Sequence, residues 1–158
     1  MTTQPVLLAE ATIDVPIAFA RTWFLELAEH PERYEFETHS GFTFTQGEFG
    51  EPGARFQTQE RFGGLAKLTL RFELTDVAPR RFTFRLRRPV HHIWGYFELD
   101  PVGVEITKLR LAVGSDHQLQ RTMLQTPPLR GAIQHQIEGE VAHIADSMTS
   151  LYKSKQEV

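Results

Sequence analysis

The sequence contains no cysteine, and that one absence removes disulfide frameworks, thiolate zinc sites and cysteine nucleophiles together. It suits a reducing compartment, so a cytoplasmic location is expected. The opening run Met1-Thr2-Thr3-Gln4-Pro5 has neither the basic patch nor the apolar core of a signal peptide. No later apolar run approaches the ~20 residues of a membrane span, so membrane insertion is not expected. Charge of one sign is lacking too: 17 basic against 20 acidic residues leave a net charge of -3. Such a balance offers no field to a polyanion, and nucleic acid is not an expected partner. There is no HExxH, phosphate loop, dinucleotide fingerprint or nucleophile elbow. Hydrolase and nucleotide-dependent chemistries therefore lose their usual carriers, and no cofactor is expected.

What is present suffices for one self-supporting domain. A chain of 158 residues buries roughly 70% of the surface that its unfolded form exposes. No repeat, low-complexity tract or linker divides it, so residues 1–158 read as a single unit. Leu7, Ala9, Ala11, Ile13 and Val15 alternate with Leu8, Glu10, Thr12 and Asp14, the period of a half-buried strand. The period then lengthens. Asp14 before Pro16 is a helix start, and Ile17, Ala20, Trp23, Phe24 and Leu27 recur at helical spacing up to His30-Pro31.

From His39 to Ser115 the chain reads as a run of strands. Turn chemistry stands at Gly47, Gly50-Glu51-Pro52-Gly53, Gly63-Gly64, Ala78-Pro79 and Pro101-Val102-Gly103. Connections this short imply antiparallel hairpins. Leu68, Leu70, Phe72 and Leu74 oppose Lys67, Thr69, Arg71 and Glu73, while Phe82, Phe84 and Leu86 oppose Thr83, Arg85 and Arg87. One face of the sheet is thus apolar and the other wet. The crowded arginines Arg80, Arg81, Arg85, Arg87 and Arg88, and the acidic set Glu26, Glu29, Glu32, Glu35 and Glu37, are read as solvated faces. After Pro127-Pro128, the residues Leu129, Ile133, Ile137, Val141, Ile144, Met148 and Leu151 mark a long amphipathic helix. Its stripe needs the apolar face of the sheet as a partner.

This order of elements resembles the helix-grip domains of the START-like (SRPBCC) superfamily, in particular the polyketide cyclase/dehydrase and lipid-transport branch. The local carriers are Ala11-Thr12-Ile13-Asp14-Val15-Pro16 leading into Trp23-Phe24, the stretch Asp76-Val77-Ala78-Pro79-Arg80-Arg81-Phe82, and Gly95-Tyr96-Phe97-Glu98-Leu99-Asp100-Pro101. The resemblance covers almost the whole chain. It implies an α+β fold in which a curved antiparallel sheet of about seven strands grips a long C-terminal helix, with a short helix after the first strand. It also implies a cavity between sheet and helix for a lipid, polyketide, hormone or quinone, although twelve Phe would close a dry core equally well. The implied wall comprises Phe42, Phe44, Phe56, Leu68, Leu70, Phe72, Phe84, Leu86, Ile93, Phe97, Met123, Ile133 and Ile137. If the family's register holds, Phe97 and Leu99 point inward together with His91, Ile93 and Gly95, and Gly95 leaves space. His92, Trp94, Tyr96 and Glu98 then point outward.

Polar residues on the inner face are the candidates for chemistry, because a buried ionisable group must be paired or change its proton affinity. Strand parity yields Glu60, Arg88 and His91 as catalytic candidates. Arg88 and His91 flank a tight connection, where they would bind a carboxylate or enolate oxygen, with His91 as general acid or base. The alternative is that all three lie at strand ends in solvent. No metal site is expected. His91 and His92 are neighbours on a strand and face opposite sides. His135 with Glu138, and Glu140 with His143, have carboxylate-bridged spacing but no matching helix, and are read as an exposed polar face.

Two functions follow. One is non-catalytic binding of a small hydrophobic ligand in an internal cavity. The other is a cofactor-free cyclase, aromatase or dehydratase. A third reading takes outward Trp94 and Tyr96 as an interaction or homodimer surface over a filled core. The segment 116–126 and the facing of 104–113 are left open, the latter because parity changes at Ile106-Thr107 unless a bulge intervenes. Met123 and Leu124 are placed near the cavity mouth as a gate.

Overall fold

The computed structural model describes residues 4–62 and 67–157. Gly63-Gly64 therefore lies outside the described residues. Strand β1 (Leu7–Ile13) leads through Pro16, the N-cap residue, into helix α1 (Ile17–Leu25). A 3-10 turn over Pro31–Tyr34 follows, and then come six strands: β2 (His39–Gln46), β3 (Arg55–Arg61), β4 (Lys67–Ala78), β5 (Arg81–Arg88), β6 (Ile93–Gly103) and β7 (Ile106–Ser115). The chain closes with α2 (Gln118–Leu124) and the 28-residue α3 (Leu129–Gln156).

All seven strands form one antiparallel sheet in the order β1-β7-β6-β5-β4-β3-β2. The meander predicted from the hairpin turns is present, and β1 joins it by pairing with the last strand. Register shifts in the β2–β3, β4–β5 and β6–β7 pairs bend the sheet, since an extra residue on one strand increases local twist. The sheet curves around α3, which packs on β1 and β7. This is the expected α+β helix grip.

One turn differs from the sequence reading, and the facing left open for 104–113 is decided. Pro101-Val102-Gly103 is not the β6–β7 turn but the last part of β6, with the turn at Val104-Glu105. The bulge lies between Pro101 and Gly103, so β7 itself keeps one parity. Thr107, Leu109 and Leu111 are buried and Ile106 is exposed. The apparent parity change came from a polar residue on the inner face, and Thr107 is satisfied there by donating to the Val15 carbonyl at 2.8 Å.

The core divides into two zones. Towards α1 it is closed, with Trp23, Phe24, Phe49, Phe82 and Leu99 almost fully buried. The Phe24 ring lies 5.3 Å from Phe82 and 5.0 Å from Phe97, and Trp23 Nε1 donates to Ser147 Oγ at 3.1 Å, tying α1 to α3. Towards α2 and the start of α3 the sheet and the helices enclose a space. On the outer face, Glu10, Glu98 and Asp100 surround Arg110 at 3.0–3.1 Å, and Glu73 faces Arg55, Arg85 and Arg87. The arginines of β5 are solvated as expected.

Candidate functional site

Between the concave face of the sheet and α2–α3 lies a cavity of about 470 Å³, within the size of small-molecule sites. Its wall is mostly apolar. Phe42, Phe56, Leu68, Leu70, Phe72, Phe84, Leu86, Ile93, Phe97, Met123, Ile133 and Ile137 all line it, joined by Leu111 and Val113 of β7 and Leu124 of α2. The mouth is marked by lining residues that stay exposed: Leu119 at 63%, Met123 at 50%, Val90 and Leu68. A filled core does not describe this end of the molecule.

Phe44 is the one expected wall residue that stands outside the cavity. It is half-buried and packs edge-on against Phe42 and Phe49, with ring centroids 5.6 and 5.3 Å away. Phe44 is paired with Phe56 and keeps the inner facing of Phe42, but it sits where the fully buried Phe49 closes the core. A β-bulge lies earlier in the strand. The pairs Ser40↔Gln59 and Thr43↔Gln57 leave Gly41 and Phe42 opposite Thr58 alone, with Gly41 at φ 62°. Gly95 does not leave space either. A Cβ there would lie 2.7 Å from the Phe84 ring and 2.7 Å from the Ala112 carbonyl, so Phe84 already occupies that room.

Arg88 and His91 are also displaced from the inner face. A register shift in the β4–β5 pair sets Arg88 opposite Arg71 while Leu86 faces Phe72, so Arg88 joins the outer residues and is exposed. β6 begins only at Ile93, and His92 has φ 73°, which breaks the alternation that would have carried His91 inward. His91 is exposed, and neither residue lines the cavity. Trp94 and Tyr96 are half-buried. Trp94 lies against Gly114, and the Arg81 guanidinium covers the Tyr96 ring at 4.0 Å.

Glu60 is where parity put it, on the inner face of β3 and 4% exposed. It is not alone. The same bulge at Gly41-Phe42 turns His39 of β2 inward, 1% exposed, and α3 contributes Glu140 at 7%. His39 Nε2 lies 3.7 Å from Glu60 Oε2 and 3.5 Å from Glu140 Oε1. The reading of Glu140 as part of an exposed face is therefore corrected. Gln136 and Glu140, four apart, share a helix face that also carries Ile137, Val141 and Ile144, and all five are buried. His135 and Glu138 do face solvent, and His143 Nε2 meets the Arg33 carbonyl at 2.9 Å.

Each member of the cluster is held by a further partner. His39 Nδ1 lies 2.6 Å from the Tyr34 carbonyl, which fixes the proton on Nδ1 and leaves the Nε2 lone pair aimed at the carboxyl groups. Thr58 Oγ1 donates to Glu60 Oε2 at 2.5 Å and Tyr34 Oη donates to Glu140 Oε1 at 2.7 Å. Gln136 Nε2 donates to the Thr38 carbonyl at 3.1 Å and reaches Glu60 Oε1 at 3.5 Å. Burial lowers the His39 imidazole to about 3, against the backbone acceptor that favours its charged form. Burial also raises Glu60 to about 7 despite donation from Thr58 and Gln136. Glu140 is raised well above the carboxyl range, by burial first and then by Glu60. The approach of His39 to the carboxyl groups is thus a contact between neutral or near-neutral groups. Tyr34, His39, Thr58, Glu60 and Glu140 all line the cavity.

Sequence reasoning missed His39, Tyr34 and Glu140. Gly41, three residues before Phe44 in a strand otherwise free of glycine, was the available signal for the bulge. Tyr34 and Glu140 come from a turn and a helix that only tertiary packing brings to the sheet.

Fold and cavity together define an α+β helix-grip fold. Among solved structures it is similar to KanY, with a TM-score of 0.67 at 8% identity over 94% of this chain and 99% of that one. It is also similar to a protein from Thermus thermophilus, with a TM-score of 0.65 at 16% identity over 92% and 97% of the two chains. A third is norcoclaurine synthase from Thalictrum flavum, solved with dopamine and hydroxybenzaldehyde, with a TM-score of 0.63 at 12% identity over 94% and 86%. No family model matches the sequence, and no curated protein does. Among the described residues, no helix is long and apolar enough to cross a membrane.

Proposed function

We propose that this protein binds a small hydrophobic molecule carrying one polar, oxygen-bearing end. The apolar cavity of about 470 Å³ with a buried polar cluster in its wall supports this reading. Apolar surface removed from water contributes roughly 25 cal/mol per Å², which supplies affinity. The cluster supplies orientation, because His39, Glu60 and Glu140 offer both donors and acceptors in a mostly apolar wall. Titration with an apolar fluorescent probe tests it, with saturable binding at one site per chain expected. Ile133→Trp, which fills the cavity from α3, should abolish that binding. Equal binding by the variant would overturn the reading.

The cluster also favours a second reading, a cofactor-free cyclase, aromatase or dehydratase. An imidazole and two carboxyl groups set within 4.8 Å of one another at a cavity wall have the reach for proton transfer to and from a bound carbonyl compound. In this reading His39, Glu60 and Glu140 take the place assigned from sequence to Arg88 and His91. Native mass spectrometry of protein from its own host, with extraction of any adduct, would give the compound whose turnover is compared between wild type and Glu60→Gln. Unchanged turnover in the variant would leave the binding reading in place.

A further inference from the structure

We infer that His39, Glu60 and Glu140 form a three-ligand site for a first-row divalent metal ion, with its open coordination position facing the cavity. The inference goes beyond ligand binding and stands on the geometry of the cluster. His39 Nε2, Glu60 Oε2 and Glu140 Oε1 converge from β2, β3 and α3, with the imidazole nitrogen 3.7 and 3.5 Å from the two oxygens. Donors held 2.0–2.2 Å from a zinc-sized ion in tetrahedral geometry stand about 3.4 Å apart. Two of the three edges therefore match to within a few tenths of an ångström, and all three donors lie within 4.8 Å of one another. Both distances from Nε2 exceed an ordinary hydrogen bond. The nitrogen is thus aimed at the carboxyl groups from a fully buried position, with only Nδ1 engaged at normal length.

The surroundings of the three residues point the same way. A metal-bound histidine characteristically donates its other ring N–H to a carbonyl or carboxylate, and bound carboxylates are hydrogen-bonded in turn. Here Nδ1 faces the Tyr34 carbonyl at 2.6 Å, Thr58 donates to Glu60 and Tyr34 Oη donates to Glu140. Each accepting oxygen keeps a second lone pair for an ion. Two carboxylates and a neutral imidazole carry the charge that neutralises a dication inside an apolar wall. The mixed nitrogen and oxygen set, with no thiolate in the chain, suits zinc, iron(II), cobalt or manganese better than calcium or magnesium. The open position would take water or the oxygen of a molecule bound in the cavity.

Full-length protein stripped with chelator is titrated with Co²⁺ and Zn²⁺, followed by calorimetry and, for cobalt, visible absorption. The expected result is one ion per chain, a cobalt spectrum of four- or five-coordinate character, and at least tenfold weaker binding in both Glu60→Gln and Glu140→Gln. Tyr34→Phe, which removes only the supporting donor, should weaken binding 10–100-fold. Thermal melts without metal show whether each variant is folded. The stacked rings of His92 and His117, 5.6 Å apart near the mouth, are a competing surface site, so the His92→Ala/His117→Ala double variant is titrated in parallel and should keep full affinity. No saturable uptake overturns the proposal, as does uptake lost in that double variant but kept in Glu140→Gln. Apolar probe binding to the stripped protein is read separately. Probe bound without metal uptake sinks the ion and spares the cavity reading, whereas metal uptake without probe binding does the reverse.

Discussion

His39 on β2 stands directly across from Glu60 on β3 as a registered pair, with Nε2 3.7 Å from Oε2. Simple alternation from Phe42 and Phe44 would have put His39 on the outer face. The extra residue at Gly41-Phe42 reverses it, and the buried cluster depends on that reversal. The same device, at the end of β5, removes Arg88 from the cavity.

Arg88→Ala and His91→Ala should each leave stability within ~0.5 kcal/mol of wild type, as substitutions of exposed side chains usually do. Probe affinity should also be unchanged, because neither side chain lines the cavity. Urea unfolding and probe titration check both. A tenfold loss of affinity in either variant would return these residues to the site.

Gly95→Ala should destabilise the fold by about 1–3 kcal/mol, the usual range for overpacking. The new Cβ meets the Ala112 carbonyl and the Phe84 ring at 2.7 Å. The ring can yield into the cavity while the backbone cannot, so Gly95→Ala/Phe84→Leu should recover only part of the loss. A wild-type unfolding midpoint for Gly95→Ala would contradict this packing.

Met123 and Leu124, neighbours on α2, should respond in opposite ways. Leu124 is 3% exposed, and Leu124→Ala is expected to cost about 2–4 kcal/mol. Met123 is half exposed at the mouth, so Met123→Ala should change stability little while accelerating probe entry and release. Stopped-flow fluorescence reads the second effect, and unaltered rates would remove Met123 from the gate.

The outer-face charge network should make stability fall in acid. Hydrogen bonds from Lys108 and Arg110 hold Glu10 below its ordinary value of 4.5. Glu98 is pushed up by partial burial, but donation from Arg81 and Arg110 outweighs that and lowers it. A carboxyl lowered in the folded state binds fewer protons there than when unfolded. Its contribution is present above 4.5 and is lost as pH falls through the folded value. These groups are partly solvated, so the effect is small and screened by salt. Arg110→Met should flatten the dependence of unfolding midpoint on pH below 4.5, more at low salt than at high. An unchanged slope would show that the network contributes nothing measurable.

Local periodicity in the sequence determined the order of elements. Alternation over Leu68–Leu74 and Phe82–Leu86, short turns and the stripe from Leu129 to Leu151 marked an antiparallel run and a long helix, because each element must bury one face. The sheet of about seven strands, the grip and the cavity wall came with the resemblance of that order to helix-grip domains. Where a strand keeps its period, parity alone sets the facing, and Glu60 was found that way. The tertiary structure decided the rest. Bulges at Gly41-Phe42 and near Arg87 reset parity without changing hydrophobic content, turning His39 in and Arg88 out. Tyr34 and Glu140 reach the cluster from a turn and a helix 106 residues apart, a meeting that only packing of α3 on the sheet produces. Whether twelve Phe close a core or line a space was likewise decided by packing: Phe24, Phe49 and Phe82 are fully buried beside α1, while Phe56, Phe72 and Phe84 line the space that α2 and α3 cover, a division that composition does not contain.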